Sequence, residues 1–225
     1  MRRMRFWLAV AILLVAVGVV IWLTLAGRPG PGPADPDPGP AFPAAVDYEF
    51  VWPDGAARGS DVPREILIPA TGQRLPLAGL GDLSSEPGED KVAFLQRVRR
   101  AMVDFSDRQT YEACGLVCSD GNGAYSVRMI TVNAVAHCAI APICLRGHAT
   151  MQQSIHSHCP NRSQLRATFA DEVLSGGAMR RNRFFGRCDP ERFSATDFEG
   201  WRPGWLAAPT ALYRHDGPKR ITRFE

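Results

Sequence analysis

The chain has 225 residues, of which 45% are hydrophobic, and its formal net charge at pH 7 is +3. So small a positive charge does not predict a nucleic-acid-binding protein, because such domains are usually strongly basic. No repeat with a period of about 20 to 50 residues is present, which excludes a repeat protein.

The N-terminal segment predicts a single transmembrane helix. Residues 6–27 carry no charged side chain, and at about 1.5 Å per residue such a helix crosses a bilayer core of about 30 Å. Residues 1–5 contain three arginines, which favours a cytoplasmic N-terminus. A cleaved signal peptide is the alternative, although its apolar region usually has only about 7 to 15 residues. We therefore predict a single-pass inner-membrane protein whose C-terminal domain is periplasmic.

Beyond the apolar run, the composition predicts a spacer and then one domain. Residues 28–46 are rich in Pro and Gly, which indicates an extended linker. Residues 47–225 are enough for one domain with a core of its own. All six cysteines lie in that domain, namely Cys114, Cys118, Cys138, Cys144, Cys159 and Cys188. An even number in an exported domain predicts disulfides, with fifteen possible pairings. A structural zinc cluster is the alternative, but the chain contains no CxxC pair.

Hydrophobic periodicity predicts a helix followed by strands. Apolar residues in 89–106 recur near a period of 3.6, which is typical of an amphipathic helix. Residues 112–118 and 125–133 flank the turn sequence SDGNG and predict a β-hairpin. Residues 149–158 predict a third strand, and 205–224 predict a C-terminal strand pair. This order predicts an α+β or α-β-α layered domain. Residues 48–88 indicate only strand and loop.

A candidate metal site combines histidines and carboxylates. His156 and His158 project from the same face if the chain is extended there, so both can hold one ion. A catalytic zinc usually has three protein ligands, and Asp197 offers the third, at the first turn of a helix that we expect Ser194 to cap. Glu112 is the candidate general base, because an acid is out of place at the start of an apolar strand.

These residues resemble the JAMM metallopeptidases, also called the JAB/MPN domain, over residues 90–225. The family pattern is a Glu near a small-Gly-Leu stretch, then His-x-His, then Ser-x-x-Asp, and the chain has Glu112 in YEACGLV, His156-Ser-His158 and Ser194-Ala-Thr-Asp197 in that order. The resemblance implies a JAB/MPN-like α-β-α layered fold with a central mixed β-sheet. It implies that His156, His158 and Asp197 bind Zn²⁺, that Glu112 is the general base and acid, and that Ser194 stabilises the oxyanion.

The chain departs from the family pattern in one spacing. Residues 159–193 separate His158 from Ser194, which is far more than usual and predicts an insertion at about 159–192. Asp171, in Thr-Phe-Ala-Asp, is therefore a rival third ligand. The flanking aromatic residues favour Asp197. A disulfide between Cys159 and Cys188 would also bring Asp197 back toward His158.

The predicted function is hydrolysis of an amide bond by an anchored, exported zinc peptidase or isopeptidase, with a peptide or protein substrate such as cell-wall peptide. The alternative is a non-catalytic JAB-fold binding or adaptor module of a cell-envelope or secretion apparatus. We assign no metal role to His137, His148 or His215. The arginine-rich stretch 179–187 is either a solvated loop or a docking surface for an acidic partner.

Overall fold

Two β-sheets organise the chain. The structure is a computed structural model that describes residues 46–160, 164–184, 188–200 and 203–225. The strands in these ranges are β1 (Glu49–Val51), β2 (Glu65–Ile68), β3 (Gln73–Pro76), β4 (Ala78–Ser84), β5 (Cys114–Ser119), β6 (Tyr125–Thr131), β7 (Ala149–Ser157), β8 (Gly204–Ala207), β9 (Leu212–His215) and β10 (Ile221–Phe224). The helices there are α1 (Lys91–Gln109), α2 (Phe169–Leu174) and a 3₁₀ helix at Thr196–Phe198.

The larger sheet has seven strands in the order β10-β9-β8-β7-β5-β6-β4, and the smaller one has the order β1-β2-β3. Neighbouring strands are antiparallel except for β7 and β8, which are parallel. The predicted hairpin is confirmed as β5 and β6, and the predicted third strand as β7. The predicted C-terminal strand pair is also confirmed as β9 and β10. One further strand, β8, precedes β9 and pairs with it. Strand β7 therefore lies in the middle of the larger sheet.

Helix α1 covers one face of the larger sheet and confirms the amphipathic helix predicted at 89–106. The Asp90 carboxylate begins it by accepting hydrogen bonds from two backbone N–H groups of the first turn, at 2.9 and 3.1 Å. Its buried apolar side chains are Phe94, Leu95, Val98 and Met102. They pack on Val117, Ile155 and Trp205 of the sheet, and each contributes roughly 1.5–3 kcal/mol by burial.

The opposite face of the larger sheet is covered mainly by strands and loops, so the predicted JAB/MPN-like α-β-α layered fold is wrong. Ile66 and Leu75 of the smaller sheet pack there against Cys114 and Ile130. The described residues contain two α-helices, and α2 has only six residues. The physical reason lies in residues 48–88, which alternate buried and partly buried side chains along β2 and form strands instead of a second helical layer.

Gly115, the glycine of EACGL, permits β5 and β6 to approach closely. A Cβ at this position would lie 2.7 Å from Val127 Cγ1 and 2.8 Å from the Arg128 carbonyl oxygen. Any larger side chain would therefore push the hairpin strands apart.

Three disulfides pair all six cysteines: Cys114–Cys138, Cys118–Cys144 and Cys159–Cys188. The zinc-cluster alternative for the cysteines is therefore wrong, and the disulfides indicate an oxidising compartment outside the cytoplasm. No helix among the described residues is both long enough and apolar enough to cross a membrane. The segments predicted at 1–5 and 6–27, and all but the last residue of 28–46, lie outside the described residues.

Candidate metal centre

The end of β7 brings its histidines to the face of the sheet opposite α1. Ser157 points toward α1, because its Oγ lies 2.7 Å from Ser106 Oγ. Side chains alternate along a strand, so His156 lies on the other face. Strand β5 pairs antiparallel with β7 at Cys114 and His156, and the Ser157 N–H donates to the Ala113 carbonyl at 2.9 Å.

Three side chains converge at this point: His156, His158 and Asp197. The two Nε2 atoms lie 3.2 Å apart, and each lies 3.1 or 3.2 Å from one carboxylate oxygen of Asp197. A tetrahedral zinc with bonds of about 2.0–2.2 Å has ligand atoms about 3.3–3.5 Å apart. The spacing and chemistry of these atoms therefore fit one small divalent cation.

His158 is oriented by a contact that the sequence did not reveal. Its Nδ1 lies 3.4 Å from the Asp189 carbonyl oxygen. A carbonyl can only accept, so Nδ1 carries the hydrogen in this contact and Nε2 keeps a lone pair for a metal. Cys159 directly follows His158 and Cys188 directly precedes Asp189, and their disulfide holds the two segments together. In the sequence, the only hint of this contact is that a cysteine stands next to His158 and another next to Asp189.

A cluster of aromatic rings packs against His156, one of the three converging side chains. Phe193 packs edge-on against His156, with ring centroids 6.4 Å apart. His215 in turn packs against Phe193 and Phe198 at 4.6 and 5.0 Å. The cluster thus limits the rotation of the His156 ring.

The electrostatics of the group favour a positive charge between its members. Burial raises the pKa of Asp197, but the neighbouring His156 and His158 outweigh burial and hold that pKa well below its ordinary value. Burial lowers the pKa of His158, but the charge and hydrogen bond of Asp197 raise it overall to about 9. Below about pH 9, the His158 ring therefore carries a second proton when no metal is bound.

Glu112 lies two residues before β5 begins, and its backbone N–H donates to the Ala134 carbonyl at 2.9 Å. Continuing the register of β5 and β7 by two pairs places it opposite His158. Burial raises the pKa of the Glu112 carboxyl well above its ordinary value, while the charge of His158 opposes the rise. A carboxyl with a raised pKa at this position is suited to act as a general acid or base.

Asp171, the rival ligand, lies apart from the histidine pair. Its carboxylate accepts hydrogen bonds from the backbone N–H groups of Val135, Ala136 and Thr168 at 2.8–3.1 Å. It also contacts His137 Nδ1 at 3.2 Å. The structure therefore brings Asp197, and not Asp171, to His156 and His158. No sequence motif indicated the Asp171–His137 pair.

The local structure around Ser194 differs from the expected helix cap. The 3₁₀ helix has no side-chain cap, and Ser194 Oγ contacts Thr196 Oγ1 at 2.9 Å. The Ser194 backbone N–H instead donates to Asp197 Oδ2 at 2.6 Å. The Asp197 carboxylate thus accepts from the Ser194 amide, as the acid of a capping box does, while the Ser194 hydroxyl does not cap the first turn. The oxyanion role of Ser194 stays a prediction.

Two further histidines have partners elsewhere. His148 Nδ1 lies 2.9 Å from Ser126 Oγ, and His137 contacts Asp171. Among the residues that the structure describes, the group that could hold a metal ion consists of His156, His158 and Asp197.

The chain matches no protein-family model, no curated protein and no solved structure. The resemblance to JAMM metallopeptidases therefore stays a prediction from the residue types and their order along the chain.

Proposed function

We propose that this chain is a zinc-dependent hydrolase of amide bonds, with chemistry of the JAMM metallopeptidase type. The observation that carries the proposal is the convergence of two Nε2 atoms and a carboxylate at 3.1–3.2 Å, on the strand end that faces Glu112. A zinc ion bound there would activate a water molecule and polarise a carbonyl group.

The side chains of the site have separate roles in this proposal. His156, His158 and Asp197 hold the ion, and Asp189 fixes the tautomer of His158 through its carbonyl. Glu112 takes a proton from the attacking water and returns it to the leaving amine, which requires a carboxyl whose pKa is raised by burial. Ser194 is a further hydrogen-bond donor for the developing negative charge.

The proposed substrate is a peptide or protein outside the cytoplasm, where cell-wall peptide is one candidate. The three disulfides support an oxidising compartment. The apolar, uncharged run at 6–27 supports a single anchor in the inner membrane, with the hydrolase domain in the periplasm.

Metal analysis of the purified chain tests the site. We expect about one zinc per chain in the native protein and almost none in His158→Ala. A native chain that binds no divalent metal, or a His158→Ala variant that keeps it, would overturn the proposal.

Glu112→Gln separates an enzyme from a metal-binding module without activity. Glu112 is not a ligand in the proposed scheme, so this variant should keep its zinc and its affinity for a hydroxamate chelator. Turnover of wall peptides or of co-purifying proteins should fall by about 100-fold or more. An unchanged rate, or an unchanged cellular phenotype, would assign the domain to the non-catalytic class.

A further inference from the structure

A groove of about 570 Å³ is lined in part by the insertion. Two arginines line it, Arg166 and Arg181, and the described residues of its lining include no Asp or Glu. Arg181 belongs to the arginine-rich stretch 179–187 that the sequence singled out. The groove therefore presents positive charge to any molecule that enters it.

Each arginine of the groove is stacked on an exposed aromatic ring. The guanidinium carbon of Arg166 lies 4.4 Å from the ring centroid of Phe184, and that of Arg181 lies 5.8 Å from Phe169. These rings are 55% and 43% exposed. Neither arginine forms an ion pair with a carboxylate of the described residues. Stacking orients a guanidinium and leaves its N–H donors free for an external carboxylate.

Backbone strain is concentrated in the same groove. Among the described residues other than glycine, four have a positive φ, and three of them line the groove: Thr110 (67°), Asn133 (58°) and Asn182 (63°). Such conformations are costly for side chains with a Cβ and cluster at ligand-binding sites.

One wall of the groove belongs to an edge strand. Leu75 and Pro76 of β3 line it, and β3 has a neighbour on only one side within its sheet. An extended polypeptide can lie along such an edge and make backbone hydrogen bonds. This favours a peptide over a nucleic acid, as does a compartment in which disulfides form.

The groove adjoins the candidate metal centre. Its lining residues Tyr111, Val135 and Leu165 pack in one cluster with Cys159 and Cys188. Cys159 directly follows His158, and Tyr111 directly precedes Glu112. A chain bound in the groove is therefore adjacent to the site.

We propose that this groove binds an extended polypeptide segment rich in Asp and Glu, whose carboxylates pair with Arg166 and Arg181. Only the further step, cleavage of that polypeptide at the metal centre, rests on the proposed function. Binding itself uses no residue of the metal site.

Fluorescence anisotropy with the full 225-residue chain in a non-ionic detergent tests the groove. EDTA is present throughout, so a failure of the metal proposal does not affect the result. The probe is a short labelled peptide in which Glu alternates with Ser, and a matched peptide with Gln in place of Glu is the neutral control. We expect saturable binding of the Glu peptide, weakened by salt, and little binding of the Gln peptide.

The paired variant Arg166→Gln/Arg181→Gln should weaken binding of the Glu peptide by about tenfold or more. Arg100→Gln/Arg146→Gln removes the same charge from exposed positions outside the groove, and should change it by less than about twofold. Phe169→Ala/Phe184→Ala should weaken binding several-fold by removing the stacking surfaces, with an unchanged circular dichroism spectrum.

Three results would overturn the proposal. The first is absence of binding to the Glu peptide, and the second is equal affinity in the native chain and the arginine variant. The third is tighter binding of a single-stranded oligonucleotide of equal charge that is lost in the same variant, because the surface would then serve nucleic acid.

Discussion

Asp171 and Asp197 both contact histidine, yet their surroundings differ. Asp171 is fully buried, and three backbone amides, a hydroxyl and one histidine satisfy its oxygens. The side chain of Asp197 is 15% exposed, receives one backbone amide and faces two ring nitrogens. A carboxylate already saturated by amide donors has no free lone pair for a metal. Thr-x-x-Asp and Ser-x-x-Asp thus have similar sequences and different chemical capacities.

The largest difference between the two sites should appear when each aspartate is replaced by alanine. Asp197→Ala should abolish zinc binding, because only two ligands would stay in place. Asp171→Ala should keep the zinc but lower the free energy of unfolding by roughly 3–5 kcal/mol, since buried amides and His137 lose their acceptor. Metal analysis and urea denaturation measure the two effects. Zinc loss in Asp171→Ala with the fold intact would show that the comparison is wrong.

The pH dependence of zinc affinity sharpens the comparison further. His158 has a pKa of about 9 in the metal-free chain, so zinc must displace a proton below that pH. Apparent affinity should therefore rise about tenfold per pH unit toward pH 9. Competition with a chromophoric chelator at several pH values checks this, and a flat profile would contradict the raised pKa.

Protonation of His158 also affects the stability of the metal-free chain. The pKa of His158 in the folded chain is raised above the ordinary 6.5. Its contribution to the free energy of unfolding is therefore fully present below about pH 6.5 and is lost as the pH rises through about 9. Asp197→Asn removes the cause of the raised pKa and should abolish this loss.

The pKa of Asp171 is lowered: burial raises it, but the hydrogen bonds of His137 and the backbone outweigh burial. Its contribution is therefore present above about pH 4 and is lost in acid.

Removal of the Cys159–Cys188 disulfide should lower the zinc affinity of the site that contains Asp197. In Cys159→Ser/Cys188→Ser the Asp189 carbonyl is no longer held beside His158. Loss of an outer hydrogen-bond partner typically lowers metal affinity by about 10–100-fold. Cys118→Ser/Cys144→Ser is the matched control, and it should lower the Tm while leaving zinc affinity nearly unchanged. Equal zinc affinity in both paired variants would contradict the role of Asp189.

The smallest effects should come from the hydroxyl groups beside the two aspartates. Thr168 Oγ1 accepts from the Asp171 N–H at 3.1 Å and donates to its carboxylate at 2.9 Å. Thr168→Ala should therefore cost about 1 kcal/mol, the usual loss for a helix cap. Ser194→Ala should cost less, because its hydroxyl contacts Thr196 and not Asp197. Thermal denaturation compares them, and zinc content should be unchanged in both.

The sequence was sufficient for elements whose pattern is local. The period of α1 and the alternation and turn residues of β5, β6 and β7 follow from side chains within each segment. The covering of the opposite sheet face was not predictable, because residues 48–88 form strands whose partners are distant in sequence. The order of Glu112, His156, His158 and Asp197 indicated a metal site, whereas the contact with Asp189 depends on a backbone carbonyl that no residue type encodes.

The disulfide between Cys159 and Cys188 also has a consequence for variation. It provides a second covalent route from His158 to Asp189 that bypasses the residues between the two cysteines. Insertions or deletions within this ring can therefore change Arg166, Phe169 or Arg181 without lengthening the route from His158 to Asp197. Related chains can thus diverge in what they recognise while the ligand group stays in place.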